Sequence, residues 1–252
     1  MMEDRPLIIK FGGSVLTDKL SEGVINYQAL SELSAIISRV RQPLVLIHGA
    51  GSLGHPEAKK WKIADGVTRE NAAGIAETHE AVSRLNQELV KMLRGDGITA
   101  VPFPPFASSF ASGRRLQYAG ENQIAALLKA GITPVLYGDT VMDERQGACI
   151  VSGDQLVQYL ARALHACRVG LVTDVGGVLQ DDAVIPEITP ETVDRIVFTE
   201  SGCADVTGGM RGKVDELLEL ARAGISSQVF SIDGLADFLV GGNPGTRITA
   251  GA

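Results

Sequence analysis

Short apolar runs recur along the chain, each followed by a longer stretch in which apolar positions return every three or four residues. The runs at 7–11, 44–48, 99–101, 133–137, 169–173 and 228–232 predict buried strands. The stretches at 27–40, 70–93, 121–129, 155–164 and 210–223 carry helical spacing. Strands that are apolar throughout and flanked by helices are covered on both faces, as in parallel sheets. Right-handed crossovers then predict an α/β fold, a three-layer αβα sandwich with a mostly parallel central sheet. Asp143-Glu-Arg-Gln-Gly147, polar between two β-like pieces, predicts a hairpin turn. No repeat, low-complexity tract or linker interrupts the chain. One domain over 1–252 is expected, any division into lobes falling near 150–168.

Composition narrows this picture. The 252 residues are 45% apolar and carry a net charge of −7, with an isoelectric point near 5.2. Such a chain folds with a large core and lacks the cationic field of a nucleic-acid binder. Three scattered cysteines, Cys149, Cys167 and Cys203, form neither a disulfide framework nor a zinc motif. With no leader-like start and no apolar run of spanning length, a cytoplasmic location away from membranes is expected.

In open sheets of this kind ligands bind beyond the carboxyl ends of the strands, and the glycines gather there. The first strand exits as Lys10-Phe-Gly12-Gly13-Ser14, followed by Lys19; the turn either binds an anion or is simply tight. The second exits as His48-Gly49-Ala50-Gly51-Ser-Leu-Gly54-His55. That spacing matches a dinucleotide fingerprint, but no strand and acid follow at the required distance. A glycine-rich helix start is still a phosphate cradle. His55 either joins that cradle or packs on Trp61; His48 is expected to be structural, and His79 and His165 incidental.

Ser152-Gly153-Asp154 opens a helix, Asp174-Val-Gly-Gly177-Val178 ends a strand, and Asp205-Val-Thr-Gly208-Gly209-Met-Arg-Gly-Lys213 opens another helix. Asp154 is either a helix-start charge or an organiser of lysines. The Walker spacing is absent. Glycine turns, lysines and an aspartate on one sheet edge suit two phosphorylated groups facing each other. Ile75, Val82 and Ile150 are candidates for an apolar pocket or for plain core, and 17–23 for a closing segment.

These blocks, together with Gly138-Asp139, resemble the amino acid kinase superfamily over nearly the whole chain, and within it the archaeal-type isopentenyl phosphate kinases. The resemblance implies transfer of a phosphoryl group from ATP, with Mg2+, to isopentenyl phosphate, by a homodimer. It implies an acceptor-binding lobe at about 1–160 and an ATP-binding lobe at about 161–252. Lys10, Lys19 and Lys213 then surround the moving phosphoryl group, with Asp154 holding them in register. Gly12, Gly13, Ala50, Gly51, Gly54, His55 and Gly153 fall on the acceptor side. Lys10, Asp174, Gly177, Val178, Gly208, Gly209 and Lys213 fall on the ATP side, and no protein metal site is implied. Fosfomycin kinases share the second histidine; a kinase for another small acid and a non-catalytic nucleotide-binding module are the other readings.

Overall fold

The computed structural model describes residues 5–18, 23–198 and 209–251. The chain opens with β1 (Leu7–Phe11), a single turn α1 (Gly13–Leu16), α2 (Tyr27–Ile37), β2 (Leu44–His48), α3 (Gly51–Lys60) and α4 (Ala73–Gly95). Then come β3 (Ala100–Pro102), α5 (Pro105–Ser108), β4 (Phe110–Ser112), β5 (Arg115–Tyr118), α6 (Glu121–Lys129) and β6 (Thr133–Tyr137). The hairpin β7 (Asp139–Asp143) and β8 (Gly147–Val151) leads into α7 (Gly153–Ala163) and β9 (Arg168–Thr173). Short strands β10 (Leu179–Gln180), β11 (Ala183–Val184) and β12 (Glu187–Ile188) precede α8 (Gly209–Arg222). The chain closes with β13 (Ser227–Ser231), α9 (Leu235–Leu239) and β14 (Thr246–Ile248).

Among the described residues the main sheet has eight strands in the order β12-β14-β13-β9-β1-β2-β6-β3. Every pairing in it is parallel except β13 with β14. Alternation along β1 shows why three layers form. Ile8 joins a core cluster with Leu156 and Leu160 of α7 and Val214 and Leu217 of α8. Leu7 and Ile9 join the opposite cluster with Leu30 and Leu33 of α2 and Leu85 and Leu89 of α4. A strand with two apolar faces needs a helix layer on each, and the sequence supplies both.

Strands β1, β2 and β6 and helix α6 have the expected bounds; the other predicted elements shift by a few residues at their ends. The predicted helix at 70–93 starts at Ala73, and that at 155–164 starts at Gly153, where the Ser152 side chain accepts from the Gln155 N–H. The polar turn at 143–147 does join a hairpin. Its strands belong to a second sheet, ordered β5-β4-β7-β8, packed beside the main one. Helix α3, whose start the glycines mark but whose span periodicity does not reveal, packs along α4. No helix of the described residues is long and apolar enough to cross a membrane.

Candidate active site

The carboxyl ends of β1, β2, β6 and β9 open into one cavity of about 480 Å³. Every residue expected to bind phosphate, acceptor or nucleotide and lying within the described parts lines it: Lys10, Gly12, Gly13, Ala50, Gly51, Gly54, His55, Gly153, Asp154, Asp174, Gly177, Val178, Gly209 and Lys213. Lys19 and Gly208 lie outside the described residues, as does most of the segment 17–23.

Asp154 sits between two of the lysines. Its carboxylate accepts from Lys10 Nζ at 2.5 Å, and Lys213 Nζ stands 3.9 Å from its other oxygen. Lys213 also donates to the Gly209 carbonyl at 3.2 Å, so the start of α8 holds its own lysine inward. The Lys10 and Asp154 side chains are 6% and 8% exposed. A buried ammonium is costly without a partner, so Asp154 makes Lys10 tolerable in the middle of an apolar strand. Both of its readings hold: Asp154 is an acidic residue in the first turn of α7, and it contacts two lysines.

The glycines are required by contact between backbones. A Cβ on Gly49 would lie 2.7 Å from the Gly13 nitrogen, and one on Gly13 would fall within the Gly51 backbone. Gly51 itself takes φ +57°, where a side chain is strained. Thr17 ties the two turns together: its hydroxyl donates to the Gly13 carbonyl at 2.9 Å and accepts from the Ser52 N–H at 3.0 Å. Gly153 brings the start of α7 against Lys10, since a Cβ there would lie 3.0 Å from the Lys10 Cε. The amides at the starts of α3 and α7 have no partner within their own helices, which suits them to anions.

Two of the histidines have opposite surroundings. His48, fully buried, donates from Nδ1 to the Gly49 carbonyl at 2.9 Å and accepts at Nε2 from Asn86 Nδ2 at 3.1 Å. Burial pushes its pKa down to about 4, so the ring is neutral. It is structural, as expected. His79 is not incidental. Its Nδ1 lies 2.9 and 3.1 Å from the carboxylate oxygens of Asp139, a cavity-lining residue, and that hydrogen bond raises the His79 pKa. Periodicity places both residues but cannot show that they meet across sixty positions. His165 lies away from the cavity, where its carbonyl accepts from Arg5.

Apolar lining comes from Val82 of α4 and Ile150 of β8, with the buried Thr78 one turn before Val82. Ile75, partly buried on the same helix, is not among the lining residues, so that candidate falls away.

The sequence model of the amino acid kinase family matches residues 5–231. This chain belongs to that family. It is 37% identical to the isopentenyl phosphate kinase of Haloferax volcanii, over 96% of this chain and 98% of that one. It is 35% identical to the isopentenyl phosphate kinase of Methanothermobacter thermautotrophicus, over 89% and 90% of the two chains. A solved isopentenyl phosphate kinase structure superposes with a TM-score of 0.84 at 32% identity, covering 97% of this chain and all of that one.

The C-terminal half of the chain adds apolar lining to this amino acid kinase cavity. Val178, Leu179, Phe198 and Met210 line it, and the Val178 N–H donates to the Thr246 hydroxyl at 2.8 Å. Ser14 Oγ donates to Asp174 at 3.1 Å and so joins the turns after β1 and β9. No group of three or more His, Cys, Asp or Glu suited to a metal ion occurs among the described residues. The Asp154 carboxylate is already engaged by two lysines, which makes it a poor further ligand for a cation.

Proposed function

We propose that this protein transfers the γ-phosphoryl group of ATP to isopentenyl phosphate, giving isopentenyl diphosphate and ADP. The observation that carries this reading is the pairing, in one cavity, of a lysine–aspartate–lysine cluster with an apolar end. A phosphate monoester carries about −1.5 to −2 charge near neutral pH, so its oxygen attacks without a general base. That oxygen forms the new bond to the γ-phosphorus as the bond to the β–γ bridging oxygen breaks, and the electron pair leaves on ADP. What the reaction needs is compensation of charge between two anions that repel.

Lys10 and Lys213 meet the phosphoryl group in transit, joined by Lys19, with Asp154 keeping the first two apart and aimed. His55 and the amides of the turns containing Gly12, Gly13, Ala50, Gly51 and Gly54 grip the acceptor phosphate, with Gly153 at the meeting point. Asp174, Gly177, Val178, Gly208 and Gly209 hold the nucleotide. Mg2+ would be carried in on the ATP phosphates rather than held by residues of this chain, and would supply further positive charge against the repulsion of the two anions. The acceptor thus binds the part of the chain at about 1–160 and ATP the part at about 161–252. The isoprenoid chain occupies the space beside Val82 and Ile150. The same reading takes the enzyme to be a cytoplasmic homodimer that supplies isoprenoid precursors, which sedimentation and cell fractionation check.

A coupled ADP-release assay run in parallel with isopentenyl phosphate, fosfomycin and glutamate tests the reading. Turnover on isopentenyl phosphate is expected. Turnover on fosfomycin alone would transfer the assignment to an antibiotic kinase, and ATP binding with no transfer to any acceptor would leave a binding module. H55A should lower kcat/KM for isopentenyl phosphate by roughly one to two orders of magnitude, the worth of one charged hydrogen bond, while ATP affinity barely moves.

A further inference from the structure

Two walls of the acceptor end come from elements that do not share a sheet. Thr78 and Val82 stand on α4, and Ile150 and Val151 on β8. His79 and Asp139 join the elements that carry them. Asp139 opens β7 opposite Val151, and its neighbour Thr140 stands opposite Ile150. Its carboxylate, fully buried, accepts from the Thr140 N–H at 2.8 Å and the Phe106 N–H at 3.2 Å as well as facing His79. The His79 ring packs against Phe106 and Tyr137, with centroids 5.0 and 6.2 Å away. One ring and one carboxylate therefore connect α4, α5, the end of β6 and the hairpin, and Asp139 itself lines the cavity with Val82 and Ile150.

We infer that His79 and Asp139 are a positioning pair that sets the width of the acceptor end of the cavity and thereby its selectivity for acceptor length. The inference rests on the acceptor assigned above. Buried ion pairs add little net stability compared with apolar packing, so the value of this one lies in direction. A carboxylate and an imidazole meet in one geometry, whereas leucines would pack in many. The pair also has an electrostatic task. Asp139 lines a cavity that must admit a dianion, and His79 supplies the compensating donor that keeps this wall from repelling it.

The test compares H79L, which keeps bulk and loses the donor, with H79N, whose amide nitrogen occupies the Nδ1 position. Expected for H79L is a rise of about tenfold in KM for isopentenyl phosphate, the effect of losing a hydrogen bond to a charged group. Its KM for ATP should stay within twofold. The ratio of kcat/KM for geranyl phosphate to that for isopentenyl phosphate should rise at least fivefold, and H79N should restore both acceptor values to within threefold. Equal losses for ATP and acceptor, an unchanged length ratio, or failure of H79N to rescue would overturn the inference.

D139N serves as second variant if H79L does not fold. The length ratio should again rise at least fivefold, while the acceptor KM, freed of the carboxylate's charge, should rise less than in H79L; an unchanged ratio would overturn the inference. Failure of the acceptor assignment is read separately, from wild-type turnover. If another phosphomonoester is the acceptor, the same ratios are taken with it and a longer-chain homologue. Independently of turnover, NMR should find the His79 Nδ1 proton slow to exchange in the wild type and fast in D139N. A fast-exchanging proton in the wild type would overturn the pair itself.

Discussion

The two ends of the cavity are built from different materials. At the lysine end, Lys10, Asp154 and Lys213 come from a strand and two helix starts, separated by 144 residues in the case of Lys10 and Asp154. They are packed among backbones that nearly touch. Where the acceptor tail is proposed to lie, the lining is ordinary side chain, Val82 and Ile150, on elements joined by the His79–Asp139 hydrogen bond. The first end has almost no freedom to change, because its close contacts are between main chains. The second can change one side chain at a time. On the proposed function, chemistry falls to the first and selectivity to the second, and the two should separate under mutation.

Lys213→Ala should give the largest effect. Removing one fixed charge from the site of transfer is expected to lower kcat by about 10² to 10³ while leaving both KM values within a few-fold. Single-turnover kinetics would check it, and a mutant retaining a tenth of wild-type kcat would mean that Lys213 does not face the moving group.

Asp154→Asn should show the same end as a stability problem. It leaves Lys10 buried without its counter-charge, at a cost of about 3 kcal/mol in the empty protein. Nucleotide should recover part of that loss, because its phosphates supply the missing negative charge. Denaturant titrations with and without ATP measure both parts.

Acid should sort the histidines. The pKa of His48 is pushed down to about 4 by burial, against an ordinary value of 6.5. The unfolded chain therefore takes up a proton that the folded one refuses. Stability is fully present above pH 6.5 and falls by about 1.4 kcal/mol per unit as the pH drops toward 4, a total of about 3 kcal/mol. His79 acts in the other direction: its pKa is raised by Asp139, so its contribution is present at low pH and lost as the pH climbs through the raised value. Urea titrations from pH 7.5 to 4.5 should show the acid-side slope flattened in H48N.

Ile150→Ala should give the smallest effect, and only at the acceptor end. Withdrawing a few methylenes from the wall is expected to raise the isopentenyl phosphate KM by roughly fivefold, near 1 kcal/mol, with kcat and the ATP KM unchanged. A fall in kcat as large as that for Lys213→Ala would erase the distinction between the two ends.

The parts of the molecule legible in the sequence are those where one physical demand dominates. β1, β2 and β6 are buried on both faces, so their apolar runs mark their bounds. The polar turn at 143–147 marks its hairpin. Helix α3 is hard to see because Gly51, Gly54 and Pro56 are poor helix formers, and packing on α4 overrides their preference. In the site, glycines and lysines at strand ends announce a phosphate cavity. The His79–Asp139 pair is half legible: Gly138-Asp139 belongs to the blocks of the family resemblance, but nothing in the sequence joins it to a helical histidine sixty positions away. Ile75 errs the other way: helical position alone does not say which apolar residue reaches the cavity.

The interlock of Gly13, Gly49 and Gly51 has a consequence for anyone who would redesign this enzyme. Around Gly13 and Gly49 main chain meets main chain, and Gly51 adds a left-handed φ and the Gly13 carbonyl at 2.9 Å to its contact with Thr17. Trimming a neighbouring side chain therefore does not make room for a methyl group. Libraries aimed at new acceptors should leave these three codons untouched and spend their diversity on the hairpin and the long helix facing it.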